Sequence, residues 1–280
     1  MSKLKIENKQ GMNILTRRRF LTGAVAASSG AALSGLPMIV AAQSPAAKHA
    51  VKPGAGVKPY GMLVEGYNYS GVAEDAFNQW YDKEVIPARK RIKGFLNIQR
   101  WVSAEELSSM PGLGAAAPKL SIVTYELDGL DVLGAKAYRE TLAPLATPHR
   151  KEMLEKCPLM CHFEAEQTLP GRQLGSNKAN GMMMFVMNVS PNVDTEFNAW
   201  FDDEHIPALA KVPGVLNARR FRMPLGTHRY LVLYHLAEPA VQATQEWKDG
   251  GASPWTDRMK TYFLAPETKP IRYVLRRYSA

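Results

Sequence analysis

Apolar and polar positions alternate in short runs that read as strands, separated by segments with helical spacing. Met62–Tyr69 and Met182–Val189 are apolar runs of strand length, and each is followed by a stretch with an apolar stripe at three- and four-residue intervals. Both stretches reach an Ile-Pro pair, Ile86-Pro87 and Ile206-Pro207. A proline pushes the residue before it out of the α region, so each helix is expected to end there. Gly94 and Gly214 then introduce second strands, Phe95–Val102 and Val215–Met223. Third strands are expected over Leu120–Leu127 and Tyr230–Leu236. Second helices follow over Val132–Glu155, broken near Pro144 and Pro148, and over Ala240–Phe263. Final strands follow over His162–Leu169 and Ile271–Tyr278. The order β-α-β-β-α-β occurs twice, and it is the split βαβ, or ferredoxin-like, unit.

The two units are copies of one another at an offset of 120 residues. Phe77-Asn78-Gln79-Trp80-Tyr81-Asp82-Lys83-Glu84-Val85-Ile86-Pro87-Ala88 aligns with Phe197-Asn198-Ala199-Trp200-Phe201-Asp202-Asp203-Glu204-His205-Ile206-Pro207-Ala208. Between Phe77 and Trp101, 12 of 25 positions are identical to their counterparts, so duplication is the economical explanation. Gly-rich, polar Leu169–Ala179 separates the copies as a linker.

The string Phe-Asn-x-Trp-Phe-Asp-Asp-Glu-His-Ile-Pro-Ala, followed by Val-Pro-Gly-Val-Leu, resembles the EthD-like branch of the dimeric α+β-barrel superfamily. The resemblance spans both halves and implies an α+β fold: two fused ferredoxin-like repeats forming an intramolecular pseudo-dimeric α+β barrel. On this reading residues 60–169 are the first repeat, 170–180 the linker and 181–280 the second repeat. The superfamily is a scaffold for cyclases, isomerases, monooxygenases, haem enzymes and proteins of other roles, so the resemblance fixes fold more tightly than function.

The N-terminus changes the charge picture. Thr16-Arg17-Arg18-Arg19-Phe20-Leu21 precedes a moderately apolar stretch that closes on Val40-Ala41-Ala42, the layout of a cleaved secretory signal. Paired arginines followed by Phe-Leu resemble a twin-arginine (Tat) signal, so residues 1–42 are expected to leave, residues 43–59 to link, and the product to be periplasmic without a stable membrane anchor. Residues 1–42 hold six Lys and Arg and one Glu, which leaves 29 basic and 25 acidic residues in the mature chain. With no long basic run, a nucleic-acid partner has no support; a small-molecule ligand and a homodimer remain. Cys157-Pro158-Leu159-Met160-Cys161 fits neither a CxxC redox motif nor a zinc pattern, and reads as a local bridge or two buried thiols.

Candidate chemistry comes from the duplicated helix. Advancing about 100° per residue from Phe197 places Trp200, Phe201 and Glu204 on one stripe, with Glu84 equivalent in the first copy. A carboxylate on an apolar stripe must be paired or protonated. His205 lies at the stripe's edge where the first copy has Val85, and Asp202 near the helix end calls for a cation, for which Arg220 is the candidate. His205, Glu204 and Asp202 are thus candidate catalytic residues; Arg220, Trp200, Trp255 and His149 are candidates for substrate binding. Glu84 without a neighbouring histidine reads instead as a clamp on the helix end. Met182, Met183, Met184 and Met187 alternate across a strand and read as core, and His235 reads as a satisfied barrel histidine. Without a Walker loop, dinucleotide fingerprint or HExxH string, no nucleotide cofactor or metal is expected. The resulting expectation is cofactor-independent acid/base chemistry of the isomerase, cyclase or lyase type on a small, partly apolar molecule. A non-catalytic ligand-binding protein is the alternative, as is a haem enzyme, which the resemblance implies.

Overall fold

The computed structural model describes residues 57–104, 119–142, 148–226, 228–263 and 270–279. The expected Tat signal, residues 1–42, and most of the segment expected to follow it as a linker lie outside the described residues. Eight strands run in the order expected: β1 (Gly61–Asn68), β2 (Phe95–Ser103), β3 (Leu120–Leu127), β4 (Leu159–Leu169), β5 (Gly181–Met187), β6 (Val215–Arg222), β7 (Tyr230–Leu236) and β8 (Ile271–Arg277). All are antiparallel to their neighbours and close into one barrel, β1-β3-β2-β8-β5-β7-β6-β4. Each repeat contributes a four-stranded sheet. The two sheets are joined where β2 meets β8, Trp101 opposite Arg277, and where β4 meets β6, Glu166 opposite Arg222. Closure removes the free edges that two separate sheets would expose.

Strand alternation sorts the side chains into three cores. Met62, Val64, Trp101, Ile122, Met182, Met184 and Leu233 fill the barrel interior. Leu63, Tyr67, Phe77, Trp80, Val123 and Tyr125 pack beneath the first repeat's helices, while Met183, Met187, Phe197, Trp200, Val232 and Tyr234 pack beneath the second's. The methionines divide between the two faces of β5, as their alternation requires. Gly94 and Gly214 take φ of +97° and +88° at equivalent turns into β2 and β6, a conformation costly for any other residue. A Cβ there would also meet the Val132 and Val241 side chains at 2.6 and 2.7 Å.

Each repeat's first helix departs from the expected course in one way that matters for the site. Helix α1 (residues 74–90) runs through Glu74–Trp80, Tyr81–Val85 and Ile86–Lys90, and helix α4 (residues 194–209) runs through Asp194–Trp200, Phe201–His205 and Ile206–Leu209. Neither ends at its Ile-Pro pair. The middle segments are π-turns, in which the Ile86 N–H donates to the Tyr81 carbonyl and the Ile206 N–H to the Phe201 carbonyl, five residues back. The wider turn relieves the contact that an α-helix would force between a proline ring and the carbonyl four residues earlier. It also adds one residue to the turn, which rotates everything downstream by about 100° from the uninterrupted helix. Val85 therefore enters the buried stripe and His205 lies half-buried beside it, while Glu84 leaves it, with half its side chain exposed.

The second helical region of the first repeat is divided as expected, whereas that of the second repeat, expected as one helix, is also divided in two. Helices α2 (Lys136–Leu142) and α3 (Pro148–Lys156) form the first, and α5 (Gln245–Gly250) and α6 (Pro254–Lys260) the second; a short 3₁₀ turn precedes α2 and α5. Cys157 and Cys161 are free thiols, not a bridge. Cys157 packs under the first repeat's helices and Cys161 inside the barrel, where burial pushes its thiol up to about 12.

Candidate functional site

The predicted Asp202–Arg220 pair forms, with Arg220 Nη1 2.5 Å from Asp202 Oδ1 and its Nη2 donating to Asn198 Oδ1 at 2.5 Å. The first repeat builds the same clamp, Arg100 to Asp82 at 2.9 Å and to Asn78. An arrangement present in both copies ties β2 or β6 to the helix above it. Glu204 accepts a 2.5 Å hydrogen bond from Ser253 Oγ, which also caps α6 by accepting from the Thr256 N–H at 2.9 Å. His205 stacks on Trp200, with ring centroids 4.4 Å apart, and Trp200 donates to Thr256 Oγ1 at 3.1 Å. Burial, with Lys260 nearby, pushes His205 down to about 4, and its Nδ1 has no hydrogen-bond partner. Trp255 donates to Glu196 Oε1 at 3.2 Å. His149 stands apart from this group, on the first repeat, 3.6 Å from Glu84.

A denser polar constellation lies beneath the helices of the first repeat. Glu65 projects from β1 on the helix side and is 4% exposed; Arg89, from the last turn of α1, is 2% exposed and lies 3.4 Å from it. Tyr81 Oη donates to Glu65 Oε2 at 3.5 Å and sits 2.6 Å from Tyr125 Oη. Arg89 stacks over Tyr138 at 4.6 Å, and its Nη1 is buried without a partner. Burial opposes the charge on Arg89, but Glu65 and the surrounding phenols outweigh it and hold the guanidinium firmly protonated. Burial also pushes the hydroxyls of Tyr67, Tyr81 and Tyr125 well up, so they remain donors at neutral pH. On the neighbouring strand, His162 Nδ1 is 3.9 Å from Glu65 and its Nε2 is 3.2 Å from Glu164. His162 is 38% exposed, so this chain leads from a buried carboxylate to the surface.

The second repeat lacks this constellation. Glu65 and His162, paired in register on β1 and β4, correspond to Phe185 and Arg272, paired on β5 and β8. Tyr67, Tyr81 and Arg89 correspond to Met187, Phe201 and Leu209. Sequence reasoning missed Glu65 and Arg89. The available signal was the alignment itself: Glu65 is a charge inside an apolar strand, and Arg89 faces Leu209 within the duplicated block.

One open cleft of about 320 Å³ lies among the described residues between the linker, β6 and the end of α4, lined by Gln173, Asp202, Ile206, Pro207, Leu216 and Asn217. No histidine lines it. The described histidines are paired with carboxylates (His149, His162), stacked on an aromatic ring (His205), set edge-on to Phe163 (His228), or sealed in the barrel (His235). No three His, Cys, Asp or Glu side chains converge on a metal site among the described residues. No helix among them is long and apolar enough to cross a membrane.

No family model and no curated protein matches the sequence. Solved structures do match. A candidate monooxygenase from Fusobacterium nucleatum subsp. nucleatum superposes with a TM-score of 0.52 at 10% identity, over 79% of this chain and 94% of that one. A candidate chlorite dismutase superposes with a TM-score of 0.51 at 13% identity, over 79% and 96%. The likeness is one of fold. It agrees with the closed eight-stranded barrel: a dimeric α+β barrel completed within one chain.

Proposed function

We propose that this protein is a small-molecule enzyme working by proton transfer without an organic cofactor, with its working site in the first repeat. The observation that carries the reading is the buried Glu65, shared by Arg89, Tyr81 and His162, where the duplicate has Phe185 with Leu209, Phe201 and Arg272 and so holds no carboxylate. In this role the Glu65 carboxylate takes a proton from a carbon beside a carbonyl. The C–H electron pair moves into the enolate, whose oxygen is stabilised by Arg89 and the Tyr81–Tyr125 hydroxyls. Returning the proton at the same or a neighbouring carbon completes an exchange or an isomerisation, and His162 with Glu164 exchanges it with solvent. Contacts of 3.4–3.9 Å around Glu65 are longer than ideal, as catalytic hydrogen bonds often are before substrate tightens them.

Deuterium incorporation tests this directly. In D₂O, with a panel of small carbonyl compounds, the wild-type protein should exchange the acidic C–H of at least one, and Glu65→Gln should not. Exchange retained by Glu65→Gln would sink the assignment, and saturable binding without exchange would favour the ligand-binding alternative. A second reading centres on His205, favoured by its buried, unpartnered Nδ1. In that case His205→Ala, not Glu65→Gln, abolishes exchange.

The duplicated Phe-Asn-x-Trp motif supports placement in the EthD-like branch. Arg17-Arg18 with the Ala41-Ala42 site supports Tat export to the periplasm, which Arg17→Lys/Arg18→Lys should block, leaving precursor in the cytoplasm.

A further inference from the structure

Where the linker crosses the end of the barrel it covers a second buried polar cluster, distinct from the Glu65 site because it lies on the barrel-facing side of the sheet. Duplicated positions build it by diverging. Gln99 on β2 corresponds to Arg219 on β6, and Glu126 on β3 corresponds to His235 on β7. All four are buried, Arg219 at 1% and His235 at 0% exposed. Arg219 Nη1 lies 2.6 Å from Glu126 Oε1 and donates to the Gln173 carbonyl at 3.0 Å. His235 Nε2 is 3.1 Å from Gln99 Oε1, and Gln99 Nε2 donates to Asn177 Oδ1 at 2.9 Å.

Only one corner of the guanidinium is used. Arg219 Nε and Nη2 have no partner, nor does His235 Nδ1. Buried donors left unpaired are costly, and native proteins keep few of them. The Nε–Nη2 edge of arginine is one of the two edges that present parallel N–H groups to a planar two-oxygen acceptor. The local field favours an anion as well. Arg219 and Arg277 both act on His235, adding to burial in holding it neutral, and Glu126 faces Arg219 alone of these two in an ion pair. The edge is closed by Gly175, whose N–H donates to Glu126 Oε1 at 2.7 Å; a Cβ at this residue would stand 2.7 Å from Arg219 Nη2 and 2.6 Å from His235 Nε2. Gln173 and Asn217, on either side of this cluster, also line the open cleft.

We propose that the Nε–Nη2 edge of Arg219, with His235 beside it, is a binding site for a small monocarboxylate, reached from the cleft beneath the linker. The linker is its roof, and Gly175 packs so closely on the edge that any Cβ at that residue would block it.

Calorimetric titration of the intact mature protein with acetate and benzoate, and with inorganic phosphate as a tetrahedral control, tests it. Wild type should bind a carboxylate saturably and in preference to phosphate. Arg219→Lys keeps the charge but loses the edge, and should weaken binding by about tenfold or more. Gly175→Ala should weaken it similarly, and thermal melts would establish that each variant is folded. Should Arg219→Lys fail to fold, Asn217→Asp at the cleft wall, which adds a repelling charge, serves in its place. Absence of saturable carboxylate binding by wild type, preference for phosphate, or equal affinity in the folded variants would overturn the proposal. Because the readout is binding, it stands or falls independently of exchange at Glu65.

Discussion

Replacing Arg89 by leucine, the residue at the equivalent position of the second repeat, should be among the most damaging single changes to the chain. Arg89 and Glu65 have side chains 3% and 5% exposed and lie 3.4 Å apart. Removing one partner of such a pair leaves an uncompensated buried charge, at a cost of about 3–5 kcal/mol. In a chain of this size each kcal/mol lowers the melting temperature by about 2–4 °C, so the expected loss is roughly 6–20 °C. The second repeat packs the same positions with Phe185 and Leu209. The double change Glu65→Phe/Arg89→Leu therefore removes both charges and should regain most of the loss, less about 1–3 kcal/mol for imperfect packing of the larger ring. Chemical denaturation of wild type, both single variants and the double variant completes the cycle, and a coupling on the order of 2 kcal/mol is expected. Activity separates function from stability, since the double variant should be folded yet inactive in the exchange assay. A double variant no more stable than Arg89→Leu would refute the reasoning, because it would mean that packing rather than the unpaired charge set the cost.

Other expectations follow from single groups. Burial pushes His205 down to about 4 from an ordinary value of 6.5, so the unfolded chain binds its proton first. Its contribution is intact above pH 6.5 and fades as pH falls toward 4, by up to about 3 kcal/mol. His205→Val, which restores the first repeat's residue, should flatten stability over that window; an unchanged pH profile would count against a buried neutral imidazole. Ser253→Ala removes the cap of α6 and the partner of Glu204, and should cost about 1 kcal/mol in denaturant titrations. Arg220→Leu and Arg100→Leu should each lower the melting temperature by similar amounts with little specific effect on exchange, since both repeats use that arginine to hold Asp and Asn of the overlying helix. Gly214→Ala forces a positive φ and a collision with Val241, and should destabilise by more than an exposed Gly→Ala change.

The duplication, the element order and the Asp202–Arg220 pairing were legible from residue spacing alone. They depend on local periodicity and on a repeat that states each position twice. The strand boundaries followed for the same reason, with β3 and β7 falling where apolar runs placed them. The direction in which the duplicated helix presents its acids was not legible. A π-turn forced ahead of Pro87 and Pro207 shifts the stripe by one residue, and so exchanges Glu84 for Val85 and brings His205 inward. Nor were the two polar clusters legible as clusters. Glu65 and Arg89 belong to a strand and a helix end that meet only when the helix lies across the sheet. Glu126 and Arg219 belong to different repeats, on strands that share no ladder, and meet only because the barrel closes. Sequence periodicity says which face a side chain takes. Which charge waits on the opposite face is decided by register and closure, and those are properties of the folded chain.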